Sequence, residues 1–118
     1  MPTSPVYKHL DAYTFAKKLV CTCYELMLEL PEEERSLSGL RLRTAALSAY
    51  LCIAQSLMQG NQKKQKKLLR EARMNLLIVD ATLDLLGELH LVREEKKNEV
   101  NYLLLHCFEV TNKSNGTE

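Results

Sequence analysis

The chain has 118 residues, of which 46% are hydrophobic and 26% charged, and its formal net charge is +1. These are the proportions of a soluble globular protein, and the length suits one domain with one core. Four glycines and three prolines are too few for a turn-rich β fold and favour long helices.

Met1 to Leu10 lacks a basic region followed by an apolar run, so no signal peptide is expected and a cytoplasmic location is the default. The first predicted helix covers about 7–30. Ala16, Leu19, Val20, Cys23, Leu26, Met27 and Leu30 build one apolar stripe, with Lys17, Lys18, Thr22, Glu25 and Glu29 elsewhere. Pro31 should end it, leaving Glu32 to Arg35 as a solvated connection.

Ser36 is the expected N-cap of a second helix over about 36–59, its hydroxyl accepting from an amide of the first turn. Leu40, Leu47, Leu51, Ala54 and Met58 form one apolar stripe of this helix. Ala46, Ala49, Tyr50, Ile53 and Leu57 spread apolar surface well beyond it, and Thr44, Ser48, Gln55 and Gln59 make only a narrow polar strip. A helix apolar over most of its circumference needs burial on more than one side. Ala46, Ala49, Tyr50, Ile53 and Leu57 are therefore the candidate oligomer interface. The stretch Ala45 to Met58, interrupted by Ser48, Gln55 and Ser56, is too short to span a bilayer, so no membrane partner is expected.

Gly60-Asn61 is a stop signal, and a third helix follows over about 62–89. Its Leu69, Ala72, Leu76, Val79, Leu83 and Leu86 alternate steps of three and four, a heptad-like seam suited to bundle packing. A fourth helix over about 93–111 places Val100, Leu103, Leu104, Cys107 and Thr111 on its inner face, and residues 112–118 form a polar tail expected to fray. Short loops force antiparallel neighbours. The expected fold is an all-α, antiparallel up-down-up-down four-helix bundle filling the chain as one domain.

No catalytic constellation is legible. His9, His90 and His106 show no metal-binding spacing, and neighbouring His106 and Cys107 diverge on a helix, so no enzyme activity, metal or cofactor is expected. Cys21, Cys23, Cys52 and Cys107 form no C-x-x-C pair and read as free thiols. Asn112-Lys113-Ser114 and Asn115-Gly116-Thr117 match the glycosylation pattern, which a chain without a secretion signal has no use for.

The unusual feature opens the third helix: Lys63, Lys64, Lys66, Lys67, Arg70 and Arg73, relieved within that window only by Glu71. Helix N-termini prefer acids, and like charges four apart repel, so the cluster works against local stability. One account is a solvated helix end kept soluble by charge. The other is an anion site for nucleic-acid phosphate, RNA or DNA, without base-specific readout, since no base-reading motif or aromatic platform accompanies the cations. Asp80, Asp84 and Glu88 gather toward the other end, which is why the net charge conceals the polarity.

The opening Leu10-Asp11-Ala12, the run Leu30-Pro31-Glu32-Glu33-Glu34-Arg35, the helix Leu40 to Ile53-Ala54 and the stretch Ala72-Arg73-Met74-Asn75-Leu76 give the chain a family likeness. From Tyr7 to Thr111 it resembles the four-helix-bundle family encoded in intervening sequences of bacterial 23S ribosomal RNA genes. It is also similar to the accessory variability protein of diversity-generating retroelements. The ribosomal-gene family carries an isoleucine-proline-serine-asparagine-isoleucine-alanine-glutamate-glycine run in its second helix. Here Ala49-Tyr50-Leu51-Cys52-Ile53-Ala54-Gln55-Ser56 keeps only Ile53 and Ala54 of it, which favours the retroelement branch. The resemblance implies a ring of five identical bundles, no catalysis, and a partnership with nucleic acid and a reverse transcriptase. In the ribosomal-gene branch it implies a structural or protein-interaction bundle instead.

Overall fold

The computed structural model describes residues 6–116, with side chains from Val6 to Asn112. Four long helices make the fold: α1 (Asp11–Glu29), α2 (Leu40–Met58), α3 (Gln62–Glu88) and α4 (Glu94–Gly116). A 3₁₀ turn, Val6–His9, precedes α1. Each helix packs against its neighbours in the chain, and α4 closes the ring against α1. This is the antiparallel up-down-up-down bundle that the periodicity predicts, and the described residues include no strand.

The core is apolar and continuous. Ala16, Leu19, Cys23 and Leu26 of α1, Leu76, Val79, Leu83 and Leu86 of α3, and Val100, Leu103, Leu104 and Cys107 of α4 all belong to it. All six residues of the predicted α3 seam are buried, as are all five expected inner residues of α4. The α2–α3 pair is the most extensive contact. Ala45, Ala46 and Ala49 on α2 and Ala72 on α3 are all buried, and small side chains let neighbouring backbones approach.

The segment after Pro31 departs from expectation. It is helical from the start, with one α turn at Glu32–Glu34 and a π-helical turn at Arg35–Gly39 leading directly into α2. The Pro31 carbonyl accepts from the amides of Glu34 and Arg35 at 2.9 and 3.1 Å, so the turn begins at the proline. Proline and three successive acids suit a helix N-terminus, the acids by opposing its partial positive charge. Ser36 is therefore not an N-cap. Its hydroxyl donates to the Glu33 carbonyl at 3.3 Å, inside the turn.

Two side chains fix this corner. Arg35 donates from Nε to the Leu30 carbonyl and from Nη2 to the Leu28 carbonyl, both at 3.0 Å, satisfying acceptors that the end of α1 leaves unpaired. Gly39 lies so close to α1 that a Cβ there would come within 2.8 Å of Met27 Cγ and 3.2 Å of Leu30 Cδ1. Glycine is what lets the π turn pack down.

The helix ends carry their own chemistry. Asn61 is more than a stop signal: its Oδ1 accepts from the Lys64 amide at 3.0 Å and caps α3. At the far end His90 has φ 59°, its amide bonds to the Gly87 carbonyl, and the Leu91 amide bonds to the Leu86 carbonyl, each at 3.0 Å. Those two bonds form a Schellman cap, with histidine where glycine is usual. Past Thr111, where the sequence pattern ends the fourth helix, the backbone of α4 stays helical to Gly116. Residues 117–118 of the expected tail lie outside the described range, as does the second glycosylation pattern at Thr117.

Candidate functional site

The basic cluster is built by the first four turns of α3. Lys63, Lys67 and Arg70 are exposed along one outward row, in steps of four and three that keep side chains on one helical face. Lys64 is exposed beside them, at the edge of a shallow hollow of about 380 Å³ that Gln55, Gln59, Lys67 and Glu71 also line. Among the described residues none of Lys63, Lys64, Lys67 and Arg70 forms an ion pair. Those cations face water.

The other two predicted members differ. Arg73 is half-buried: its Nη1 donates to Thr111 Oγ1 at 3.3 Å and to Asn112 Oδ1, and its guanidinium lies 5.5 Å from the Phe108 ring centre. It ties α3 to the last turns of α4, so it does not belong with the open cations. Lys66 is also half-buried and has a partner. Glu71, the acid within the cluster, takes the Cys52 thiol as a donor at 3.8 Å. Burial, and then the Glu71 carboxylate, push that thiol above its usual range.

The predicted oligomer interface needs correction. Ala46, Ala49 and Ile53 are 0–1% exposed within the single bundle, so they have no surface to offer a second copy. Tyr50 and Leu57 are half-buried, and the Tyr50 hydroxyl pairs with that of Tyr13 at 2.8 Å. The outward stripe of α2 is instead the one led by leucine: Leu40 is 44% exposed, Leu47 37%, Leu51 46% and Met58 61%. With Thr44 and Ala54 these positions step by four, three, four, three and four along the helix, the spacing of a seam that receives another helix. Apolar excess on α2 is real, but its exposed part is the leucine stripe and not the residues named.

The sequence offered no hint of an aromatic group on the far side. Phe15 stacks on His106 at 4.0 Å between ring centres, and Tyr102 meets His106 edge-on at 4.7 Å. It joins α1 to α4, away from the basic row. The thiols of Cys23 and Cys107 are buried; burial, with the nearby Cys107 adding, pushes Cys23 up to about 12, and burial does the same for Cys107. Both are neutral thiols and poor nucleophiles near neutral pH. Among the described residues no group of three His, Cys, Asp or Glu side chains could hold a metal ion, and no helix is long and apolar enough to cross a membrane.

Compared with protein-family models and with curated proteins, the chain matches none.

Proposed function

We propose that the chain is a non-catalytic, self-assembling accessory protein that binds nucleic acid through the basic end of α3. The observation that carries the reading is the row Lys63, Lys67 and Arg70 with Lys64 beside it, exposed and free of acidic partners among the described residues. Cations held in a row on a rigid helix neutralise successive phosphates and release the counterions condensed there. Nothing on that row reads base edges, so the binding is to backbone rather than to sequence. The outward stripe of α2 supports self-assembly, which would multiply the basic field by the number of copies. A ring of five and a reverse-transcriptase partner rest on the resemblance to the retroelement accessory proteins alone.

A second reading is a protein-interaction bundle without nucleic-acid binding, and the α2 stripe favours it as much as it favours the first. A salt titration separates the two. Single-stranded and double-stranded nucleic acid of mixed sequence should bind with affinity that falls steeply as salt rises, and Lys63→Glu with Lys67→Glu and Arg70→Glu should reduce that slope by roughly one unit per cation. All three side chains are exposed, so helical content should be unchanged. Affinity that the triple variant leaves intact would sink the nucleic-acid reading.

A further inference from the structure

The outward row of α3 is not only basic. Lys63, Lys67 and Arg70 occupy its first half, Met74 and Leu77 its centre, and Ala81, Asp84 and Glu88 its second half, all exposed. Met74 is 63% and Leu77 45% exposed, an apolar centre between two charged ends. The steps from Lys63 to Glu88 alternate four and three throughout, as a helix-on-helix seam requires. Neither Asp84 nor Glu88 has an ion-pair partner among the described residues, and the same is true of Lys63 and Lys67.

This row is complementary to itself when reversed. Turn a second α3 end for end, with the two-fold axis midway between Met74 and Leu77, and Met74 lies against Leu77 of the second copy. Arg70 then meets Ala81 of the second copy, a small side chain that leaves room for the long arginine stem. Lys67 meets the second copy's Asp84, and Lys63 meets its Glu88. Each pairing occurs twice, as a two-fold interface demands. A parallel arrangement would set lysine against lysine and acid against acid. Charge therefore selects one orientation, in the way flanking charges select partners in coiled coils. No other helix of the chain matches as well: α2 carries no acid at all, the charges of α4 alternate in sign within its first turns, and Glu25 and Glu29 of α1 are already paired with Lys96 and Arg93. The helix is about 40 Å long at its ordinary rise, so the seam runs most of the length of the bundle.

We infer that α3 is a self-pairing surface, on which a second copy of this chain docks antiparallel, its acidic end over the basic end of the first. Lys63 and Lys67 serve both this contact and the phosphate site, so pairing and nucleic-acid binding exclude each other on a given face. That consequence rests on the proposed function; the pairing itself does not.

The test uses two charge-reversed forms of the full chain, Lys63→Glu with Lys67→Glu, and Asp84→Lys with Glu88→Lys. Each form alone confronts like charges across the two-fold axis and should self-associate about tenfold or more weakly than the natural chain in sedimentation at low salt, because every reversed ion pair becomes a repulsion. Mixed in equal amounts they should recover the lost affinity. Glutamates introduced at 63 and 67 of one then meet lysines introduced at 88 and 84 of the other. Equal association in every combination would overturn the pairing, and so would a loss that mixing does not restore. The proposed function is read separately, from the salt dependence of the natural chain's affinity for nucleic acid, because the lysines added at 84 and 88 would themselves attract phosphate.

Discussion

His90 closes α3 in the left-handed region, at φ 59°, where a side chain clashes with its own backbone and glycine does not. The Schellman bonds on either side of it are intact, so the cap forms despite the residue that makes it. Replacing His90 with glycine should raise stability by about 0.5–1 kcal/mol, measured by urea unfolding. A loss instead would mean that the imidazole makes a compensating contact. Other decisive residues at this scale were illegible for a related reason. Arg35 and Arg73 read as two more surface cations, yet one seals the carbonyl end of α1 and the other holds α4. Both act on groups distant in space or hidden in the backbone, which composition and spacing do not reveal. Asn61 carried a signal that was there to see, because asparagine before a polar helix start is an N-cap as much as a stop.

At the scale of the element, α1, α3 and α4 were legible because in each the apolar stripe read from three- and four-residue steps is the one that packs inward. The stripe on α2 was ambiguous, since two apolar faces compete for one interior. Packing decides in favour of the face with small side chains. Ala45, Ala46 and Ala49 let α2 close on its neighbours, and the bulkier Leu40, Leu47, Leu51 and Met58 are left outside. Hydrophobicity alone does not choose between the two faces, and Leu42 and Ile53 are buried alongside the alanines. The approach to α2 is set by Gly39 in the same manner. Alanine is ordinarily worth about 1 kcal/mol more than glycine inside a helix, but here its Cβ would come within 2.8 Å of Met27 Cγ. Gly39→Ala should therefore destabilise the chain by about 1–2 kcal/mol net, because overpacking costs more than propensity returns. Thermal unfolding gives the sign directly, and a stabilised variant would show that the π turn does not need to sit so close to α1.

At the scale of the molecule, the bundle buries one complete core and still presents two heptad-spaced rows to water, apolar on α2 and bipolar on α3. An exposed stripe of large apolar side chains on a small domain marks an interaction surface. The bipolar row adds orientation to it, since only an antiparallel neighbour satisfies its charges. Both rows offer surface to helices of further copies, and they are the ground on which the chain is proposed to assemble. The number and order of helices followed from sequence periodicity. Which faces remain unsatisfied did not, because that depends on how four helices share one interior. Sedimentation equilibrium of the natural chain across micromolar concentrations at low salt is the direct test. An assembling bundle should show a mass above that of one chain, falling when Leu47 and Leu51 are changed to serine; a single species at the 13.5 kDa of one chain, whatever the concentration, would contradict it.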